Sequence, residues 1–324
     1  MRRRLPRGTR RGAGWRSGPH PCQPEIRAGP AEISIRESRD YPLEVLLAAI
    51  GDLVLDITIA PHGELRTNDD TPAAIRVGGG GQAANFCAWA ASLGERSRLV
   101  TRVGDDDAGR RLVAELEAGG VEVHAVRAAE PTGAIAVLIG PGGERTMATQ
   151  RGASVGLRRD DLRPEWFVGV DLIHVPAYSL FREPLATAAR TAVEMVRLGR
   201  GRVSVDLSSV AGLVDYGPAR MMSELARIKP DILFATAAEA DAMPVAMDGL
   251  APVTAVKLGA AGCIVCGRRI ASPAADVVDP TGAGDAFAAA FCIAIVSGEG
   301  PQRAGEHAVR VAAAAVAKVG ARPA

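Results

Sequence analysis

The sequence predicts an α/β fold of three layers, with a mainly parallel central sheet between helices. Three observations carry this. Apolar runs of strand length alternate with Ala-rich helical runs from Leu43 onward. Two glycine-rich stretches each precede a helix, the usual place for a ligand in such folds. The chain has 324 residues and 48% hydrophobic content, enough to bury a large core.

The elements follow in order. Val45–Ile57, V-L-L-A-A-I-G-D-L-V-L-D-I, reads as one buried strand ending in two carboxylates, Asp52 and Asp56. Gly78–Asn85, G-G-G-G-Q-A-A-N, reads as a turn, and F-C-A-W-A-A-S-L-G behind it as a helix closing at Gly94. A strand at Arg98–Val103, a helix over Gly109–Gly119, a strand at Asp171–Val175 and a long amphipathic helix over Pro184–Gly199 come next. Strands at Arg202–Leu207, Asp231–Ala235 and Val253–Gly259 continue the alternation, with helices between. An apolar strand at Val277–Val278 runs into a glycine turn, and an Ala-rich helix over Val311–Val319 closes the chain. Two stretches break the pattern: Thr58–Val77 and Thr132–Ala148 contain short β-like pieces, P-A-A-I-R-V and A-I-A-V-L-I, separated by turns such as P-G-G-E.

Residues 1–42 differ from the rest, being rich in Arg, Gly and Pro, without apolar periodicity and without the hydrophobic core of a secretory signal. A disordered basic extension is expected there, either a functional basic arm or, as favoured, a segment irrelevant to folding, with one domain over 43–324. The formal net charge is +1, and basic residues do not interleave with aromatics, which at 4% are scarce, so neither nucleic acid nor an acidic membrane surface is indicated. No apolar run is long enough to span a membrane.

Five cysteines, at positions 22, 87, 263, 266 and 292, lack framework spacing, which points to a reducing, cytoplasmic setting. Cys263 and Cys266 form C-x-x-C inside an apolar run, where strand geometry sends them to opposite faces. The histidines make no zinc-ligand spacing.

The richest stretch is V-V-D-P-T-G-A-G-D-A-F, Val277–Phe287. Its G-A-G turn lets backbone N–H groups crowd around an anion, and the following helix adds partial positive charge there. Asp285, at the helix start, can accept a proton from an attacking hydroxyl. The plain alternative is a helix N-cap.

Together, Gly80-Gly81-Gln82-Ala83-Ala84-Asn85 through Leu93-Gly94 and Asp279–Phe287 resemble the paired signatures of the ribokinase-like (PfkB) carbohydrate kinases. Between them lie Gly104–Gly109, Pro131–Gly133, Gly142–Thr146, Arg151–Ser154 and Lys257–Gly262, also similar to family segments. The resemblance implies a ribokinase-like fold whose two irregular stretches form a small β lid, excluding water from the transfer. It implies Asp285 as catalytic base and Thr281, Gly282, Ala283 and Gly284 as the anion hole. It implies Asp56, Asn85, Gly80, Gly81 and Glu144 as sugar contacts, although strand-end, cap and turn roles also fit Asp56, Asn85 and Glu144. Lys257, Gly259 and Gly262 would lie under the nucleotide, and Asp279 and Thr281 near a monovalent-cation loop. ATP and Mg²⁺ are the implied cofactors, with K⁺ in some members, and lid-mediated homodimers occur among relatives.

One departure stands out. Family members usually carry N-x-x-E after the D-I-L-F strand, whereas here the segment reads Thr236-Ala237-Ala238-Glu239. Glu239 can still hold a magnesium-bound water, so altered magnesium dependence is expected. Three functions remain open: a kinase acting on a hydroxymethyl group of a ribose-like pentose or hexose, a nucleoside kinase using Phe86 or Trp89 near the lid as a base platform, and a sugar-binding protein that has lost turnover.

Overall fold

The computed structural model describes residues 45–140 and 144–323. The basic extension expected over 1–42 lies outside the described residues.

Nine strands form the central sheet, in the order β13-β12-β11-β10-β9-β8-β1-β4-β5. These are β1 Leu46–Ile50, β4 Arg96–Gly104, β5 Val121–Ala128, β8 Leu172–Pro176, β9 Arg202–Asp206, β10 Ile232–Thr236, β11 Val253–Lys257, β12 Cys263–Val265 and β13 Arg268–Ile270. Pairing is parallel from β11 through to β5, and only the edge pairs β11–β12 and β12–β13 are antiparallel. The expected mainly parallel sheet is present.

Both faces are covered, and the alternation along β1 shows how. Leu47 and Ala49 join one apolar cluster, with the helices α1 Gln82–Ser92, α2 Asp107–Ala118, α7 Ala283–Val296 and α8 Pro301–Val316. Leu46, Ala48 and Ile50 join the other, with α3 Leu185–Leu198, α4 Val210–Tyr216, α5 Pro218–Ile228 and α6 Ala237–Ala242. Ala-rich α1 and α7 pack without bulky ridges, so their N-termini can approach each other. Ion pairing also links helices near the surface, as where half-buried Arg190 meets exposed Glu183 and half-buried Glu224.

A second sheet of four strands, in the order β3-β2-β6-β7, stands apart: β2 Val54–Pro61, β3 Ala73–Gly80, β6 Thr132–Ile139 and β7 Arg145–Gly152. This is the expected lid, with longer arms than the two stretches read from sequence.

Several boundaries differ from expectation for physical reasons. The apolar run Val45–Ile57 is two strands, because the chain turns at Gly51, where a side chain would collide with the Ser179 hydroxyl. Asp56 therefore sits in the lid, not at the end of a central strand. Most of the glycine run is the end of β3, leaving only Gly81 as the turn into α1. Val277 and Val278 form no strand and are exposed, Val278 N–H being bonded to Val316 O at the end of α8. The closing helix begins at Pro301, well before Val311, because Pro suits the first helical turn. Cys266 lies in the β12–β13 turn, with φ 44°, and the described cysteines are unpaired.

Candidate active site

A cavity of about 1150 Å³ lies between the lid and the C-terminal ends of the parallel strands. Its floor is built from strand ends: Asp52 just beyond β1, Asp206 closing β9, Thr236 closing β10 and Lys257 closing β11. Ile135, Val137, Met147 and Thr149 of the lid form the roof. Parallel strands aim their free carbonyl ends and following loops to one edge, which is why residues so distant in sequence converge there.

The start of α7 forms the side where the resemblance expects phosphate. Gly282 caps the helix with φ 77°, and a side chain there would collide with Ala321 O. Among the described residues, the N–H groups of Gly282 and Gly284 take no protein acceptor, so two donors remain at the positive end of a 14-residue helix. The Lys257 ammonium lies 3.5 Å from where a Gly284 side chain would begin. Asp285 is half-buried in the first turn of α7, with the cap position held by Gly282 instead. Burial pushes its carboxyl up to about 7, reinforced by Asp206 and Asp56 and opposed by the Asn85 hydrogen bond and by Lys257.

The start of α1 and the lid supply the opposite side. Asn85 Nδ2 donates to Asp285 Oδ2 at 2.9 Å. Asp56 on β2 lines the cavity, and a side chain at Gly80 would strike its carboxylate, so glycine there gives that carboxylate its place. Burial raises Asp56 to about 6 against the pull of Arg322, and its Oδ1 has no protein partner. Asp52 is gripped by Arg151, whose Nε donates to Oδ2 at 2.8 Å and whose Nη2 donates to the same oxygen. Burial still raises the Asp52 carboxyl overall.

On the nucleotide side expected from the resemblance, Lys257 Nζ donates to Asp206 Oδ2. Burial opposes charge on both, yet their mutual attraction holds Asp206 low and Lys257 high. Thr236 caps α6: its Oγ1 accepts from Glu239 N at 3.3 Å, and Glu239 Oε2 accepts from Thr236 N at 2.7 Å. Threonine thus keeps the local geometry at the departure from N-x-x-E. Burial and the neighbouring Asp206 raise Glu239.

The structure brings together Asp285, Gly282, Gly284, Thr281, Asp56, Gly81, Asn85, Lys257 and Glu239 around one cavity. Gly80 and Ala283 stand just behind its wall. Glu144 is exposed on the β6–β7 turn, against Gly140, and does not line the cavity. Gly259 and Gly262 lie outside it too, and Gly262 instead makes room for the backbone of Ile270 and Ser272. Asp279 spends both oxygens on protein donors, Oδ1 on Thr281 N and Oγ1 at 2.9 and 2.6 Å and Oδ2 on Gly320 N at 3.0 Å. Phe86 and Trp89 are core residues and form no platform.

Sequence reading missed several lining residues. Arg145 reaches from the lid to donate to Thr281 Oγ1, so the lid touches the turn before α7. Tyr178, Phe181 and Tyr216 line the cavity as an aromatic row, with ring centroids 5.9 and 5.3 Å apart. Their only sequence signal was position, immediately after β8 and at the end of α4.

Comparison with known proteins agrees with this layout. Residues 45–324 match the profile described as pfkB family carbohydrate kinase. The chain is 32% identical over 262 residues to the ATP-dependent ribose-1-phosphate kinase of Halopiger xanaduensis, covering 77% of this chain and 84% of that protein. It is 28% identical over 268 residues to a fructokinase of Escherichia coli, covering 76% and 83% respectively. The putative ribokinase II of E. coli, solved with ATP and Mg²⁺, shares the fold with a TM-score of 0.76 at 23% identity, over 86% of this chain and 94% of that one. Adenosine kinase of Sinorhizobium meliloti superimposes with a TM-score of 0.75 at 24% identity, over 87% and 96%.

Proposed function

This chain belongs to the pfkB family of carbohydrate kinases, an ATP-dependent phosphotransferase family, and from that premise we propose that it phosphorylates a hydroxymethyl group of a ribose-like pentose or a hexose. The observation that carries this is the meeting of Asp285, at a carboxyl value of about 7, with two unpaired helix N–H donors and with Asn85 in one cavity. Asp285 takes the proton of the acceptor hydroxyl as its oxygen bonds to the γ-phosphorus of ATP and the bond to the bridging oxygen breaks. The N–H groups of Gly282 and Gly284, with Lys257 beside them, stabilise charge on the transferred group. Asp56, with its unpaired Oδ1, accepts hydrogen bonds from sugar hydroxyls.

The donor set suits magnesium. Among the described residues no group of three or more His, Cys, Asp or Glu could hold a metal ion by itself. Mg²⁺ needs no such cage, since it keeps several waters and is shared with substrate phosphates. Glu239 would accept from such a water, and a magnesium ion held there with the phosphates would supply charge neutralisation.

A nucleoside acceptor is the second reading, favoured by the aromatic row of Tyr178, Phe181 and Tyr216 on the cavity wall. Homodimers through the lid are also proposed: β3 leaves Ile75 and Val77 exposed at 62% and 46%. Light scattering tests this, a mass of one 33.6 kDa chain counting against it. No helix among the described residues is long and apolar enough to cross a membrane.

The decisive experiment measures ATP consumption across pentoses, hexoses, ketoses and nucleosides, with magnesium fixed, potassium varied and Asp285→Asn as control. Turnover on a free sugar that the control abolishes supports the first reading, and turnover on nucleosides alone selects the second. Sugar binding without turnover would leave a binding protein.

A further inference from the structure

Arg322 stands behind the cavity wall, half-buried, with its guanidinium between Gly79, Gly80 and Asn85. Its Nε donates to Asn85 Oδ1 at 3.0 Å, and its Nη2 donates to Gly80 O at 2.7 Å. On the other side of the same amide, Asn85 Nδ2 donates to Asp285 Oδ2 at 2.9 Å. The backbone leading to the arginine is pinned twice: Trp89 Nε1 donates to Ala321 O at 3.0 Å, and Gly320 N donates to Asp279 Oδ2 at 3.0 Å. Gly79 makes the room, since any side chain there would collide with the Arg322 guanidinium.

A carboxamide has nearly the same outline after a half-turn, but its donor and acceptor ends change places. With Oδ1 turned toward Asp285, two acceptors would face each other in a buried site. A guanidinium only donates, so it fixes Oδ1 on its own side and Nδ2 on the side of Asp285. The result is a directed chain of hydrogen bonds, Arg322 to Asn85 to Asp285, crossing three separate parts of the sequence.

We propose that Arg322 is a positioning residue of the phosphoryl transfer: through Asn85 it holds the Asp285 carboxylate toward the acceptor hydroxyl, and through Gly80 it ties the lid strand β3 to the same point. The proposal rests on Asp285 being the base. The charged groups facing Asp285 are Asp206 and Lys257 from the strand ends and Asp56 from the lid. Those facing Arg322 are Asp56, Glu115 and Asp285, with the Cys87 thiol, held neutral by burial, beside them. Loss of the guanidinium therefore leaves two carboxylates less well compensated, and the base ionises at higher pH.

The test compares Arg322→Gln, Arg322→Lys, Asn85→Ala, the Arg322→Gln/Asn85→Ala double variant and Asp285→Asn, each with kcat, both KM values and the pH profile of kcat/KM. Arg322→Gln is expected to lose about tenfold or more in kcat, as small misplacements of a reacting group do, with KM for ATP little changed. Its acid limb moves to higher pH. Arg322→Lys keeps the buried charge but not the forked donors, so kcat falls while the limb stays. The double variant is expected to be no slower than Asn85→Ala, because the two residues act in series.

Wild-type kcat and limb in Arg322→Gln would overturn the proposal, and so would losses that multiply in the double variant. Should the Gln variant fail to fold, Arg322→Lys decides alone: a wild-type kcat there overturns it. Activity retained in Asp285→Asn would instead sink the reading of the base.

Discussion

Asn85 and Asp285 lie 200 positions apart and are joined by a hydrogen bond of 2.9 Å between the first turns of α1 and α7. Each helix start faces a different part of the cavity: α1 adjoins the lid carboxylate Asp56, and α7 carries the open N–H groups of Gly282 and Gly284. The bond makes the two halves one site. It also means that the group proposed to hold a sugar is in contact with the group proposed to deprotonate it, so on that reading binding and chemistry share a residue.

Asp285→Asn is expected to cut turnover by about 10²–10⁴-fold, the usual worth of a general base. In the wild type, kcat/KM should rise with pH up to about 7, where the buried carboxyl loses its proton. The same shift costs stability. The folded value of about 7 exceeds the ordinary 3.8, so the folded protein holds a proton that the unfolded chain has lost between those values. Stability from this group therefore declines as pH rises from about 4 to 7. Asn removes that loss, so the variant should melt above the wild type at pH 8 and the gap should close near pH 4. A gap of the opposite sign in thermal melts would contradict the burial argument.

Much of the fold was legible because strands buried on both faces read as continuous apolar runs, as β8 through β11 do. The same signal misled at Val45–Ile57, where the apolar run continues past the turn at Gly51, and at Val277–Val278, an apolar pair that lies in no strand. The G-A-G turn and Asp285 were legible because their chemistry is local. Arg145, Arg151 and Arg322 were not, since each acquires its partner only through approach over 136, 99 or 237 positions. Phe86 and Trp89 adjoin Asn85 in the chain and in space, yet they form no platform because the helix turns both rings into the core and not into the cavity.

Gly80→Ala probes the sugar side alone. The added methyl would occupy the space of the Asp56 carboxylate and push it off its place in the cavity wall. KM for the sugar should rise about tenfold, a loss of about 1.4 kcal/mol, while KM for ATP stays unchanged. An equal rise for both substrates would mean that the lid as a whole had shifted.

Arg151→Met separates structure from chemistry at Asp52. The arginine also donates from Nη1 to Tyr178 O at 2.8 Å, so it ties β7 to the loop after β8. Removing it leaves a buried carboxylate uncompensated, at a cost of about 3–5 kcal/mol. Because burial already raises Asp52, protonation becomes the escape, and the deficit should shrink as pH falls. Chemical denaturation at pH 5 and pH 8 measures this, and Asp52→Asn combined with Arg151→Met should recover part of the loss. A deficit independent of pH would show that packing, not charge, was removed.

Thr236 tests what the departure from N-x-x-E does. Its hydroxyl and the Glu239 carboxylate cap α6 reciprocally, at 3.3 and 2.7 Å. Asparagine caps as well as threonine, so Thr236→Asn should leave stability within a few tenths of a kcal/mol, whereas Thr236→Ala should lose about 1 kcal/mol. Their effects on magnesium should differ in sign. An asparagine caps with its carboxamide oxygen, which stands one bond farther from the backbone than the threonine hydroxyl and can use its second lone pair on a magnesium-bound water, so half-maximal rate should come at lower Mg²⁺. Alanine frees Glu239 from its reciprocal bond and loosens the carboxylate, so more Mg²⁺ should be required. Superimposable magnesium titrations for both variants and the wild type would confine this position to capping.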